Sequence, residues 1–327
     1  MLNNYFKEKI LSATKSNSIN SFEVIQELWS GYGKLLRLNI SGYKDHSVIV
    51  KLIDFKKSNS HPRGWNTSIS HQRKLFSYEV ETTWYKQYSS KCSGECRVPK
   101  CLGVFKYEGQ VLIILEDLNI AGYPGRSYNL NDTQIKSCLR WLASFHATFL
   151  NTSPDGLWQT GTYWHLETRP DEYSAMKNKA LKEAAKYIDS KLSNARFQTF
   201  VHGDSKPANF CFTANGEQVA AVDFQYVGGG CGMKDIAYLL GACTDVNASQ
   251  EKSYLDFYFE NLYHLITDPS IFDELKNEWL SLYPYAIADF QRFLNGWSPD
   301  HWKVNNHALE TTKKVIAVIT KENGLDK

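Results

Sequence analysis

The segment that most constrains this chain is a short β-rich island set between two long helical stretches. It runs Val201-His202-Gly203-Asp204-Ser205-Lys206-Pro207-Ala208-Asn209, then Phe210-Cys211-Phe212-Thr213-Ala214, then Asn215-Gly216, and then Glu217-Gln218-Val219-Ala220-Ala221-Val222-Asp223-Phe224. Asn-Gly between two apolar runs is a strong hairpin signal, because both residues tolerate positive φ. A two-residue loop places Asn209 opposite Val222, next to Asp223. A three-residue bulged loop places Asn209 opposite Asp223 itself. Cross-strand Cβ atoms lie about 4.5–5.5 Å apart, so either register brings an amide oxygen and a carboxylate to the open end of the hairpin. With Asp204 beside them, these are hard oxygen donors of the kind Mg²⁺ takes together with phosphates.

Before the island, the first hundred-odd residues read as short strands with one helix among them. Glu23–Leu28 and Leu35–Ile40 are strand candidates around a turn-rich stretch, Trp29–Lys34, and Ser47–Ile53 is strongly β-branched. A polar loop covers Lys57–Ser70. Leu75, Val80, Trp84 and Tyr88 then recur at roughly helical spacing over His71–Tyr88. Val98–Phe105 and Val111–Leu115 read as two further strands. A Gly/Pro-rich linker follows Glu116-Asp117-Leu118 and ends near Arg126, which puts the boundary between a 1–117 lobe and a 118–327 lobe. Beyond it, Asn131 or Asp132 caps a helix carrying Ile135, Leu139, Leu142, Phe145 and Phe149. From Ser253 onward the pattern is helical, punctuated by Pro269, Pro284 and Pro299.

H-G-D-x-x-x-x-N followed by D-F resembles the catalytic and metal-binding loops of aminoglycoside phosphotransferases, choline kinases and ecdysteroid-kinase-like proteins, which are small-molecule relatives of the protein kinases. Asp223-Phe224-Gln225, with Gln where protein kinases have Gly, is nearest the ecdysteroid-kinase-like pattern. The resemblance extends from the Gly31 loop to the helices near Trp297. It implies an α+β, protein-kinase-like two-lobed fold: an N-terminal nucleotide-binding lobe built on an antiparallel five-stranded sheet, and a larger helical lobe containing the Asn215-Gly216 hairpin.

The resemblance also implies roles. Asp204 would be the catalytic base and Lys206 a cation near the transferred phosphate, with Asp223 and Asn209 as Mg²⁺ ligands. Lys51, within Val48-Ile49-Val50-Lys51-Leu52-Ile53, resembles the phosphate-binding lysine of the Val-Ala-Ile-Lys strand. That run is apolar on both alternating faces, so a charge there requires a buried partner. Glu81, in Glu81-Thr82-Thr83-Trp84-Tyr85, matches the family's acid followed by an aromatic pair, with Glu79 in reserve. Gly31 and Gly33 lie where a loop covers the phosphates. Glu116 to Leu118 resembles the hinge whose backbone meets adenine. Asp235 resembles an acid that braces the catalytic loop, and His146 and His202 read as structural.

The implied activity is ATP- and Mg²⁺-dependent transfer of a γ-phosphoryl group to the hydroxyl of a small molecule. The alternatives are a non-catalytic nucleotide-binding scaffold on the same fold and a protein kinase. Gly203 stands where protein kinases keep an arginine, no Ala-Pro-Glu follows Asp223, and no G-x-x-x-x-G-K-[ST] is present. With 37 Lys and Arg against 35 Asp and Glu, no electrostatic case exists for nucleic acid as a partner. Apolar runs such as Val111–Leu115 are too short to span a bilayer, and the start has no signal-like segment, so a cytoplasmic location is expected. The seven cysteines do not form a disulfide framework, and the cluster Cys92, Cys96 and Cys101 lacks paired C-x₂-C spacing. The last helices carry Trp279, Tyr283, Tyr285, Phe290, Phe293, Trp297 and Trp302. Most of these read as core, but several in a pocket would suit a largely apolar or quaternary-ammonium alcohol.

Overall fold

The computed structural model describes residues 2–28, 31–56, 68–243 and 247–323. Trp29-Ser30, and residues 57–67 of the expected polar loop, lie outside them. Two compact units result: Met1–Arg126 with Cys211–Gln225, and Ser127–Phe210 with Tyr226–Lys327. The first therefore takes in most of the island's hairpin, which the sequence pattern had assigned to the helical lobe.

The first unit opens with a helix not anticipated from sequence, α1 (Asn4–Thr14), started by Asn3, whose side chain accepts the Phe6 N–H at 2.8 Å. Five strands follow, β1 (Ser18–Glu27), β2 (Gly33–Ser41), β3 (Ser47–Asp54), β4 (Cys101–Tyr107) and β5 (Gln110–Glu116), all paired antiparallel in the order β1-β2-β3-β5-β4. Phe6 and Ile10 of α1 pack with Leu36, Leu38, Ile40, Val48, Val50, Leu52, Leu112 and Ile114. This core uses the even positions of β3, which leaves Ile49, Lys51 and Ile53 on the opposite face of the sheet. Helix α2 (Ser68–Thr83) lies toward that face and ends in a wider π-type turn over Trp84–Tyr88.

Strands β7 (Phe210–Phe212) and β8 (Val219–Ala221) form the hairpin. Its loop is longer than the two or three residues expected. The Thr213 N–H donates to the Gln218 carbonyl and the Gly216 N–H to the Thr213 carbonyl, which leaves residues 214–217 as the loop with Gly216 at φ 74°. Thr213 still faces Gln218, the pairing that the two-residue register requires.

The second unit contains α3 (Asp132–Thr148), α4 (Pro170–Ala175), α5 (Lys179–Ser193), β6 (Thr199–Val201), β9 (Gly228–Gly230), α6 (Met233–Leu240), α7 (Ala248–Tyr263), α8 (Pro269–Trp297) and α9 (Asn306–Asn323). A capping box fixes the start of α3: the Gln134 N–H reaches Asn131 Oδ1 at 3.0 Å while Gln134 Oε1 accepts the Asn131 N–H at 3.1 Å. Pro284 lies inside α8 and does not end it; Pro269 occupies the first turn after the Asp268 cap. Helix α8 packs against α4, α5, α6 and α9. Strand β6 pairs antiparallel with β9, Thr199 facing Gly230 and Val201 facing Gly228. That pairing delivers the chain directly into His202-Gly203-Asp204. Among the described residues no helix is long and apolar enough to cross a membrane.

Candidate active site

In the first unit, β3 carries Lys51 between Leu35 of β2 and Ile113 of β5. The side chain is buried. Its Nζ lies 2.9 and 2.6 Å from the two oxygens of Glu81 and 3.3 Å from Asp223 Oδ1. Burial alone would lower the Lys51 pKa, but the charges of Glu81 and Asp223 outweigh it and raise the value. Burial is also the main cause that raises Glu81, helped by the nearby Asp223 and opposed by Lys51. Glu79, the reserve candidate, is exposed.

Asp223 sits in the left-handed region at φ 67°, a conformation that Asp tolerates better than most residues. Its Oδ1 accepts from Gln225 Nε2 at 2.7 Å, and Gln225 Oε1 in turn accepts from Lys74 Nζ at 2.6 Å and Ser77 Oγ at 3.3 Å. Gln225 thus ties the Asp223 loop to α2, a role that sequence reading had not assigned. Behind it, Phe224 stacks on Trp84 with ring centroids 4.4 Å apart and meets Tyr85 edge-on. The aromatic pair after Glu81 therefore seats the residue after Asp223.

Two glycines precede this strand. Gly31 has φ 73° and donates its N–H to the Leu28 carbonyl. At Gly33 a Cβ would fall 1.9 Å from the Leu52 carbonyl oxygen, so contact with β3 is enough to require glycine there. In the hinge-like segment, Glu116 accepts from Arg97 at 2.5 Å and from the Lys100 N–H at 3.0 Å. Asp117 is buried under Arg37 at 2.7 Å and Ser47 Oγ at 2.8 Å. Leu118 packs with Cys211, Ala220, Tyr123 and Val222. Cys92, Cys96 and Cys101 are free thiols, and no His/Cys/Asp/Glu cluster suited to a metal occurs among the described residues.

In the second unit, Asp235 organises the loop after β6. Its Oδ2 accepts the His202 N–H at 2.6 Å and its Oδ1 the Gly203 N–H at 3.0 Å, while His146 Nε2 lies 3.3 Å from Oδ2. Burial would raise the Asp235 pKa, yet His146 and the His202 N–H hold it below the usual carboxylate value. Gly203 has φ 77°, and a Cβ there would lie 2.2 Å from the Tyr226 carbonyl oxygen, so no arginine could stand at this position.

Asp204 is buried, and both of its carboxylate oxygens are held. Oδ1 accepts from the Tyr238 hydroxyl at 3.1 Å; Oδ2 accepts from Lys206 Nζ at 2.8 Å and Asn209 Nδ2 at 3.0 Å. Asn209 Nδ2 also donates to the Asp204 carbonyl at 2.7 Å. Tyr238 and the neighbouring Lys303 were not singled out from sequence. They come from α6 and from the loop before α9, and only folding connects them to Asp204. Of the aromatic set, Trp279 is core, bonded to the Phe197 carbonyl. Phe290 and Phe293 cluster with Trp164, Tyr238 and Leu294, with Trp297 packed against them, and Trp302 is 59% exposed.

An antiparallel sheet bearing a buried Lys–Glu pair, and a helical unit bearing a braced H-G-D loop, define a phosphotransferase of the kinase-like fold. The chain belongs to the phosphotransferase enzyme family, whose model matches residues 94–269, just over half of the 327. Amicoumacin kinase hAmiN, solved in complex with AMP-PNP, Ca²⁺ and Ami, aligns over 98% of this chain and 94% of its own at 12% identity and a TM-score of 0.54. An ethanolamine kinase from Plasmodium vivax aligns over 97% and 89% at 13% identity and a TM-score of 0.50. At these identities the likeness is one of fold. No curated protein matches the chain. The chain is an enzyme of the phosphotransferase class.

Proposed function

We propose that the enzyme transfers the γ-phosphoryl group of ATP, bound with Mg²⁺, to a hydroxyl of a small molecule, with Asp204 as the base. The observation that carries this reading is the held carboxylate of Asp204: three donors from its own unit fix both oxygens. A carboxylate so held is oriented, as proton acceptance from a hydroxyl requires. Lys206, next to it, supplies positive charge where negative charge develops.

Lys51, aligned by Glu81, would hold the phosphates, and the Gly31 and Gly33 turn would cover them. The backbone from Glu116 to Leu118 would meet adenine. Each expected ligand offers an oxygen of the kind a hard divalent cation takes. Asn209 turns its Nδ2 toward Asp204, and its Oδ1 accepts no hydrogen bond among the described residues. The Asp223 side chain is 37% exposed, unlike the buried Glu81. Asn209 and Asp223 would hold the metal, which when bound neutralises phosphate charge.

The test is ATP consumption by the purified protein across a library of hydroxylated metabolites, with Asp204→Asn alongside. The variant should bind ATP as the wild type does and turn over roughly 10²–10⁴-fold more slowly. Turnover close to wild type on the true acceptor would remove Asp204 from the role of base.

A further inference from the structure

Lys303 is 7% exposed. Its ammonium has no hydrogen-bond acceptor and no carboxylate at ion-pair distance among the described residues. An ammonium carries three donors; the residue is nearly buried, yet Nζ is not among the fully buried polar atoms left without a partner, so its donors stay open to a ligand. What the ammonium does contact is aromatic: Nζ lies 3.9 Å from the centroid of the Tyr238 ring and 5.5 Å from those of Phe290 and Trp302. Such faces attract the ammonium but give its N–H donors no protein oxygen.

The location gives this meaning. Tyr238 is the residue whose hydroxyl holds Asp204 Oδ1, so one ring separates the Lys303 ammonium from the proposed base. Other cations of this unit have carboxylate partners. Lys206 is paired with Asp204 at 2.8 Å, Arg169 with Glu172 at 2.9 Å, and Arg292 with Asp289 at 2.9 Å. Burial, with the positive Lys206 adding to it, brings Lys303 down to about 8, and Asp204 pulls the other way.

We infer that Lys303 determines acceptor specificity: its ammonium receives an anionic oxygen group of the acceptor, and the alcohols this enzyme takes are hydroxy acids and not amino-alcohols. This rests on the proposed role of Asp204. It departs from the cationic or apolar acceptor that the aromatic residues suggested from sequence. The ring faces a quaternary ammonium would use are already in contact with an ammonium, and a second cation there would be repelled.

The experiment compares small hydroxycarboxylates, their neutral amides and amino-alcohols of matched length, with wild type, Lys303→Met, Lys303→Gln and Lys303→Arg. Binding is read by thermal shift in the presence of ATP, and turnover by ATP consumption. Hydroxycarboxylates should shift the wild-type melting temperature where amides and amino-alcohols do not. Either neutral variant should raise KM for the hydroxycarboxylate about thirtyfold or more relative to the amide, and Lys303→Arg should restore much of that preference. Preference for amino-alcohols in the wild type would overturn the inference. So would an equal fall in kcat for all acceptors at unchanged KM in the variants, which would put the ammonium on the transferred phosphoryl group. The thermal shift requires no turnover. Binding without phosphorylation of any acceptor would therefore count against the phosphotransfer reading while leaving the Lys303 site standing.

Discussion

Lys51→Met probes the buried charge cluster directly. Methionine keeps most of the stem and removes the ammonium that touches both carboxylates. Deleting one partner of a buried ion pair costs about 3–5 kcal/mol, because the other charge is left uncompensated. Here two acids are left, but the Asp223 side chain is 37% exposed and the Glu81 side chain only 2%, so the penalty falls mainly on Glu81. That places the loss near the lower end, about 3 kcal/mol. Glu81→Gln is milder, about 1–2 kcal/mol, since Lys51 keeps a hydrogen-bonding amide and Asp223 at 3.3 Å. Pairing Lys51→Met with Glu81→Leu removes both buried charges and should recover part of the loss, with a coupling of about 1–3 kcal/mol. The pH dependence has a definite sign. Burial already raises Glu81 in the wild type, and without Lys51 the value rises further. A carboxyl with a raised folded pKa supports the fold below its unfolded value of about 4.3 and loses that support as pH climbs through the folded pKa. The Lys51→Met deficit should therefore be smaller at pH 5 than at pH 8 in urea unfolding. Equal deficits at both pH values, together with additive effects in the double variant, would refute the account.

Mg-ATP at about a hundred times its dissociation constant should stabilise the protein by roughly 2.7 kcal/mol. Asp223→Ala should lose the Mg²⁺-dependent part, and an unmoved wild-type melting temperature would contradict nucleotide binding. Gly203→Ala should destabilise by at least about 1 kcal/mol, given φ 77° and the 2.2 Å approach to the Tyr226 carbonyl; a neutral result in urea unfolding would contradict that geometry. Asp235 and Asp289 are held below the ordinary carboxylate value, burial opposing and His146 in one case and Arg292 with Lys234 in the other prevailing. Their stabilisation is present above about pH 3.9 and lost as pH falls through the folded values. Asp289→Asn should thus show a shallower acid-unfolding slope below pH 4, and an unchanged slope would count against it.

What could be read in the sequence followed from local pattern. Lys51 was legible because a single lysine interrupts a run that is apolar on both faces, and the acid it needed could be sought on the next helix. Helix α1 went unread although Phe6 and Ile10 stand four apart, because one such pair is a short signal and takes its meaning from the sheet face it covers. The hairpin was signalled by Asn215-Gly216, but its four-residue loop depends on hydrogen bonds at Thr213 that composition does not announce. Pro284 read as punctuation of the helical stretch and lies inside α8, because the packing of α8 against α4, α5, α6 and α9 outweighs one missing N–H. Gln225 was visible only as a departure from Gly; its bridge between Asp223 and α2 appears once the two elements meet.

The acceptor side turns on a comparison that sequence alone could not make. Aromatic residues near a catalytic loop invite a cationic ligand, and a ring face is worth about 0.5–2 kcal/mol to one. Here the Tyr238 and Phe290 rings already face the Lys303 ammonium. Two unit charges about 5 Å apart, at an effective dielectric constant near 20, repel by roughly 3 kcal/mol. The repulsion exceeds the gain, so the same rings that would draw an amino-alcohol in an uncharged pocket disfavour it in this one. An anion reverses both signs: it gains the attraction and supplies the oxygens that no protein group gives the ammonium. The chemistry of the acceptor then follows less from the rings than from the one lysine they hold.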